Sequence, residues 1–267
     1  MAVEPDLTNW QILPRRTEPN YLYLMLGLFS AVVLGTAATP GSLLARASGL
    51  LAVLSLLVSA YFLIERRRYL FLTLLLGAAA FLPFAWLSTH REALAPHLAT
   101  GLYVVNVVLW VLFLVAIGLL VLRGILMARH IRGNEIYGAI SVYLLIGVLF
   151  AAVYQLLLAW EPGALYFDPA RFPVPQQLTD GLDTRGVGVV LYYSFVTLGT
   201  VGYGDVTPAS PVARAVSLIE AILGIMYVAT LITRFVSIQI SSESRGTEPA
   251  RDEPSHGATT KGRHDPP

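Results

Sequence analysis

The segment TLGTVGYGDVTP (Thr197–Pro208) places two glycines, a tyrosine and an aspartate within four consecutive residues, between two apolar stretches. Glycine weakens the interior of a helix or strand, and backbone left open is not tolerated in lipid. Irregular backbone at membrane depth is allowed where it is buried in protein or lines a water-filled path. The segment therefore predicts a ligand site built from the main chain rather than from reactive side chains.

A main-chain site of this kind binds cations through carbonyl oxygens. A row of carbonyl oxygens can replace the water shell of an ion if the strand turns all of them to one side. Alternating residues must then adopt unusual dihedral angles, which glycine supplies at Gly202 and Gly204. Thr200 can add its hydroxyl at the inner end, and a preceding helix would aim its partly negative carboxyl end at the ion path.

The composition indicates a membrane protein. Of 267 residues, 55% are hydrophobic and only 13% are charged, which is typical of a helical membrane protein rather than a soluble domain. The absence of cysteine excludes disulfides, thiolate metal sites and cysteine nucleophiles. The net charge of +1 and the lack of a basic run among aromatics give no indication of nucleic-acid binding. No paired acids, histidine cluster or nucleophile constellation lies within the apolar segments, so we expect no enzyme activity and no cofactor.

The elements that must position the site are helices. A membrane span needs about 20 mainly apolar residues. We predict an all-α membrane protein with six transmembrane helices plus a re-entrant helix and loop. The six spans are Tyr21–Ala38, Leu43–Ile64, Tyr69–Ser88, Leu98–Leu122, Ile136–Trp160 and Val212–Ile240. Val187–Gly199 is too short to cross and is the predicted re-entrant helix.

The basic residues predict the orientation. With the amino terminus in the cytoplasm, five arginines lie outside and the other 13 of the 18 basic residues lie inside. The outside five are Arg46, Arg91, Arg171, Arg185 and Arg214. Both termini are then cytoplasmic, in a plasma membrane or a bacterial inner membrane. A cleaved signal peptide is the alternative for the first span, and it leaves the orientation of the others unchanged.

The motif TVGYGD, after a short helix and before a final span, resembles the selectivity filter of potassium channels. The resemblance covers about Ile136–Ile240, as outer helix, outside loop, pore helix, filter and inner helix. It implies that Thr200, Val201, Gly202 and Tyr203 supply the oxygens that coordinate potassium, the transported ion. It also implies that Gly204 lets the strand turn outward. We call Thr200–Gly204 the filter segment. One filter per chain cannot close a ring, so four chains in membrane lipid are expected.

The resemblance also assigns residues that support the filter. Tyr203 is expected to point its side chain away from the axis, against the pore helix. Asp205 is expected to accept a hydrogen bond from Tyr192, which occupies a position that is often tryptophan in the family. Gly199 departs from the family pattern, where a threonine is common, and the departure leaves the fine selectivity open.

The last span has its own candidate residues. By the same alignment Gly224 is either a hinge or a site of close helix packing. Glu220 stands alone in an apolar stretch, where an ionised acid is costly. It either braces the pore helix or filter, or belongs to a ring of acids facing the cavity. The residues expected to line the cavity and gate are Ile225, Val228, Ile232 and Val236.

Six spans with the pore at the end is the layout of voltage-gated cation channels. We predict a cytoplasmic segment (1–19), a four-span unit like a voltage sensor (20–132), a pore domain (133–240) and a disordered tail (241–267). The tail is too short for a soluble ligand-binding domain. Leu98–Leu122 lacks the regularly spaced arginines of a sensor, which predicts weak voltage dependence. The alternatives are a voltage-gated channel with an unrecognised sensor and a subunit of a potassium uptake transporter.

Overall fold

The computed structural model describes residues 21–37, 43–63, 75–80, 83, 96–127, 133–170 and 187–246. Several predictions fall outside these residues. They concern the amino-terminal segment, most of the third span, the outside loop over 171–186, and the tail beyond Gly246.

The described chain is mainly helical. The helices are α1 (Tyr21–Ala37), α2 (Leu43–Leu63), α3 (Pro96–Met127), α4 (Gly133–Trp160), α5 (Val187–Leu198) and α6 (Pro211–Gly246). Residues 75–80 are also helical. The strands β1 (Leu165–Phe167) and β2 (Val206–Pro208) are antiparallel.

The helix ends follow ordinary start and stop signals. Proline is the first residue of both α3 and α6, where its missing N–H costs no hydrogen bond. Ser210 caps α6, because its side-chain oxygen accepts a hydrogen bond from the N–H of Ala213 at 3.2 Å. Three described helical stretches are long and apolar enough to cross a membrane, namely Leu98–Leu126, Asn134–Trp160 and Pro211–Ser237. The count of six spans remains a prediction.

Two helices are longer than predicted. The fourth predicted span continues as α3 beyond Leu122 to Met127, so Arg123 lies inside the helix rather than after it. The last span continues beyond Ile240 to Gly246. The predicted disordered tail therefore begins with a helical turn, because no glycine or proline interrupts the chain before Gly246. The prediction of an all-α fold also omitted the two three-residue strands, which are too short to leave a recognisable alternation in the sequence.

Helix α4 lies at the centre of the packing, in contact with α1, α3, α5 and α6. The largest core joins α1, α3 and α4 through side chains such as Leu28, Phe113 and Leu145. A second core between α4 and α5 includes Tyr154 and Tyr193. Helix α5 is therefore held against the side of α4.

Helix α6 is covered on one narrow stripe only. Ala213, Ser217, Glu220 and Gly224 are buried at helical spacing and face α4 and α5. Most other positions in its first 27 residues are exposed and apolar. The single chain thus leaves most of α6 available to lipid or to further protein.

Candidate functional site

The filter segment is held from behind by the end of α5. The N–H groups of Thr200 and Val201 donate to the carbonyls of Thr197 and Val196, at 3.0 and 2.9 Å. The N–H of Gly202 also points to the Val196 carbonyl, at 3.4 Å. Because these amides turn back toward the helix, the α5 carboxyl end and the filter backbone form one hydrogen-bonded unit.

The sign of the backbone φ angle alternates along the filter segment. Residues 200, 202 and 204 have φ angles of 55°, 60° and 78°, and no positive φ occurs at Val201 or Tyr203. This alternation is what a strand needs to turn its carbonyl groups to one side. Glycine accounts for two of these positions, as the sequence predicts. The third is Thr200, where a side chain at positive φ costs roughly 1–2 kcal/mol.

The carbonyl oxygens of this segment are free to bind an ion. No described residue donates a hydrogen bond to the carbonyls from Thr200 to Tyr203. The five residues of the segment are all exposed in the single chain, Val201 to 52% and Tyr203 to 62%. Unpaired carbonyls beside apolar helices are expensive unless a ligand or water satisfies them. The arrangement therefore suits a ligand that replaces hydrogen-bond donors, such as a cation.

The outer end of the filter segment is tied to α5 by two tyrosines. The Tyr192 hydroxyl donates to Asp205 at 2.6 Å, and Asp205 is buried. The other Asp205 carboxylate oxygen accepts from the N–H of Val206 at 2.9 Å. The rings of Tyr192 and Tyr203 are stacked, with centroids 6.4 Å apart and planes within 3°. The structure thus brings together Tyr192, Tyr203 and Asp205, three of the four side chains from which the sequence predicts support of the filter.

The strand pair β1–β2, which the sequence analysis did not predict, lies at the end of the filter segment. β1 follows α4 after a short turn, and β2 begins after Asp205, the residue that follows the filter segment. They pair in the register Leu165 to Pro208 and Phe167 to Val206. The N–H of Asp168 extends the ladder by donating to the carbonyl of Asp205 at 2.9 Å. The segment that follows α4 and carries β1 therefore holds the chain in place as it leaves the filter segment.

The inner end of α5 rests on α6 at Gly224. A Cβ placed on Gly224 would lie 2.5 Å from the carbonyl oxygen of Leu198, the last residue of α5. The same oxygen accepts a hydrogen bond from the Tyr143 hydroxyl of α4 at 3.2 Å. The Tyr143 ring stacks on Tyr227 with centroids 6.2 Å apart. Gly224 is thus a point of close contact between two backbones.

Glu220 is fully buried, with 0% of its surface exposed. Its carboxylate accepts hydrogen bonds from the Tyr154 hydroxyl, at 2.6 Å, and from the Ser194 hydroxyl of α5. The carboxylate thus faces α4 and α5. The four residues expected to line the cavity lie on the exposed part of α6. They are Ile225 (58%), Val228 (41%), Ile232 (57%) and Val236 (50%).

The sequence prediction missed the partners of Glu220. Tyr154 and Ser194 donate to its carboxylate, and Ser217 lies within hydrogen-bond distance of Tyr154; all three polar side chains are buried on mainly apolar helices. A usable signal was present, since Ser217 and Glu220 are three residues apart and share one face of α6. Which tyrosine and serine would meet that face was not readable from the spacing alone.

Comparison with known proteins identifies the same part of the chain. Residues 140–240 match the protein family described as Ion channel. A two pore potassium channel, "Two pore potassium channel c" of Oryza sativa subsp. japonica, is 43% identical over 54 residues. That match spans 20% of this chain and 12% of the length of the rice protein. No solved structure matches. Residues 140–240, which carry the filter segment and its supports, are thus similar to the ion channel family, and the chain is similar to a potassium channel over 54 residues.

Proposed function

We propose that the protein is a tetrameric, potassium-selective channel that conducts passively through the filter segment. The observation that carries the proposal is the backbone of Thr200–Gly204. The sign of φ alternates along this segment, and its carbonyls accept no hydrogen bond from any described residue. Four such strands around one axis would present rings of oxygen to a dehydrated ion.

The tetramer follows from the geometry of a ring. One chain supplies a single filter strand, which surrounds nothing by itself. The filter residues are exposed in the single chain, as is most of the apolar surface of α6. Three further copies would cover part of these surfaces, and membrane lipid would cover the rest. The pore then needs no cofactor, because potassium itself is the ligand.

The contacts between the filter segment and α5 favour a rigid, selective filter over a wide, water-filled pore. Thr200, Val201, Gly202 and Tyr203 would coordinate potassium, and Gly204 would turn the strand outward. The Tyr192–Asp205 hydrogen bond and the stacked tyrosines limit how far the strand can widen. Ions would occupy several sites in file and leave by mutual repulsion. Below the filter, the exposed stretch of α6 from Ile225 to Val236 would line the cavity and gate.

The arrangement in the membrane is part of the same proposal. Six spans, cytoplasmic termini and a four-span unit ahead of the pore domain follow from the charge distribution and hydropathy of the sequence. The three long apolar helices are compatible with this layout.

The experiment uses the purified full-length protein in planar bilayers. Reversal potentials in mixed potassium and sodium should show strong preference for potassium, and mass measurement in detergent should give four chains. Gly202→Ala should abolish selectivity or current, since the φ of 60° disfavours a side chain although no atom lies within 4 Å of the added Cβ.

The matched control is Gly101→Ala, a helical glycine that also has nothing within 4 Å of the added Cβ. Its selectivity should equal that of the unmodified chain. Equal permeability to sodium and potassium, or a conducting monomer or dimer, would contradict the proposal.

A further inference from the structure

A buried polar cluster joins three helices behind the filter. It consists of Tyr154 on α4, Tyr193 and Ser194 on α5, and Ser217 and Glu220 on α6. All five are buried, and Tyr154, Ser194 and Glu220 are 0% exposed. Conduction through main-chain carbonyls uses none of these side chains. Their burial in an apolar setting therefore needs another explanation.

The hydrogen bonds that join these five side chains to one another all cross between helices. Tyr154 reaches Glu220 at 2.6 Å and Ser217 at 3.1 Å, so α4 is tied to α6. Tyr193 and Ser217 are 2.7 Å apart, and Ser194 donates to Glu220, so α5 is tied to α6 at two adjacent residues. A tilt or rotation of α6 at this level would break several bonds together.

Ser194 also fixes α5 against α4. Its hydroxyl lies 2.7 Å from the carbonyl oxygen of Gly147, as well as beside the Glu220 carboxylate. One hydroxyl hydrogen cannot serve both acceptors at once. An amide at position 220 would remove this conflict, because its N–H could donate to the Ser194 oxygen and free the hydroxyl hydrogen for Gly147.

The cluster lies close to the filter along the chain. Ser194 is two residues before Val196, whose carbonyl accepts the N–H groups of Val201 and Gly202. Because α5 and the filter backbone share these hydrogen bonds, a displacement of α5 at Ser194 passes directly into the filter segment. The position of α6 at Glu220 thus bears on the width of the filter.

We propose that Glu220, Ser194 and Tyr154 are positioning residues that lock the upper part of α6 to the pore helix and so keep the filter in its conducting form. The inference rests on the proposed function. It assigns the role of holding α5 in place to the stretch of α6 that precedes Gly224.

The experiment measures the filter of the full-length channel in bilayers while external potassium is lowered. An emptied filter loses the ions that screen its carbonyls, and then depends on its scaffold. Ser194→Ala and Tyr154→Phe should each speed the loss of current about tenfold, the size expected for a lost hydrogen bond to a charged group. Glu220→Gln should stay close to the unmodified chain, whereas Glu220→Ala should behave like Ser194→Ala or worse.

Two controls separate this role from general packing. Ser141→Ala removes a buried hydroxyl that bonds only to its own helix, at the Tyr137 carbonyl. Tyr103→Phe removes a tyrosine bond to Gln155 that joins α3 to α4 away from the filter. Neither should change the rate of current loss.

A double variant gives the decisive reading. Tyr154→Phe combined with Ser194→Ala should depart from the product of the single effects by about threefold or more, since both donors serve one carboxylate. Multiplicative effects, or cluster variants that match the two controls, would overturn the inference while leaving potassium selectivity of the unmodified chain intact. Loss of that selectivity in the unmodified chain would instead overturn the proposed function. If Glu220→Ala does not assemble, the conservative Tyr154→Phe variant still decides the matter.

Discussion

Replacement of Gly224 by alanine tests whether this residue is a hinge of α6 or the point at which α5 packs closely on α6. The added Cβ would meet the carbonyl oxygen of Leu198 at 2.5 Å and its Cδ1 at 2.9 Å. Real Cβ contacts keep at least 3.0 Å, so α5 and α6 must separate by about 0.5 Å or more. The first of these atoms is backbone, so no side-chain rotation can relieve the contact.

A displacement of Leu198 would be transmitted to the filter segment. Leu198 is followed directly by Gly199 and Thr200, and its carbonyl also accepts the Tyr143 hydroxyl. Overpacking of a well-packed site costs roughly 1–3 kcal/mol. That cost corresponds to a fall of about 5- to 150-fold in the population of subunits with an undistorted filter. We therefore expect Gly224→Ala to lower single-channel conductance and potassium selectivity together.

The assay is single-channel recording in symmetrical and mixed salt, with thermal stability of the assembled protein measured in parallel. Gly118→Ala is the control, because this α3 glycine has nothing within 4 Å of an added Cβ. It should leave conduction unchanged and stabilise its helix by roughly 0.5–1 kcal/mol. A Gly224→Ala channel with normal conductance and selectivity but altered open probability would contradict the close-packing role of Gly224 and would favour its role as a hinge.

Two further predictions concern the outer filter and voltage. Tyr192→Phe removes the 2.6 Å hydrogen bond to Asp205, worth roughly 1.5–3 kcal/mol, and should make the current decay faster in low external potassium. Tyr166→Phe, at an exposed tyrosine on β1, should not, and equal decay rates in the two variants would contradict this role of Tyr192. Helix α3 contains one arginine, Arg123, and no lysine or acid, so a conductance–voltage curve in symmetrical potassium should be shallow. Moving one charge through the field is worth about 2.3 kcal/mol per 100 mV, and Arg123 lies in the last turns of α3, near its carboxyl end. A steep sigmoid that flattens when Arg123 is neutralised would show that the four-span unit is a voltage sensor.

The position of Arg123 illustrates a limit of reading span boundaries from hydropathy. Hydropathy predicts that the span ends at Leu122, but α3 continues to Met127. A tertiary contact helps to explain the extension. The Arg234 guanidinium of α6 donates to the carbonyls of Ile125 and Leu126, at 2.8 and 2.9 Å. These last-turn carbonyls lack partners within their own helix, and a cation there also complements the helix dipole.

The sequence alone determined the parts of the molecule that depend on local chemistry. Glycine at 202 and 204 was predicted to take unusual dihedrals, and both residues have positive φ. The short apolar run before them was predicted as a helix, which the structure has at Val187–Leu198. Local steric rules and the hydropathy of one segment suffice for these features, because neither depends on a distant neighbour.

The tertiary structure alone decided which groups meet behind the filter. Tyr154 and Glu220 are 66 residues apart, and Tyr143 and Leu198 are 55 apart. Their contacts depend on the rotation of three helices about their axes. Because apolar residues occupy most faces of α6, its hydropathy does not indicate which face packs against the protein. Gly224 was open between hinge and packing for the same reason. A glycine reports freedom of its own backbone, whereas the carbonyl that approaches it belongs to another helix.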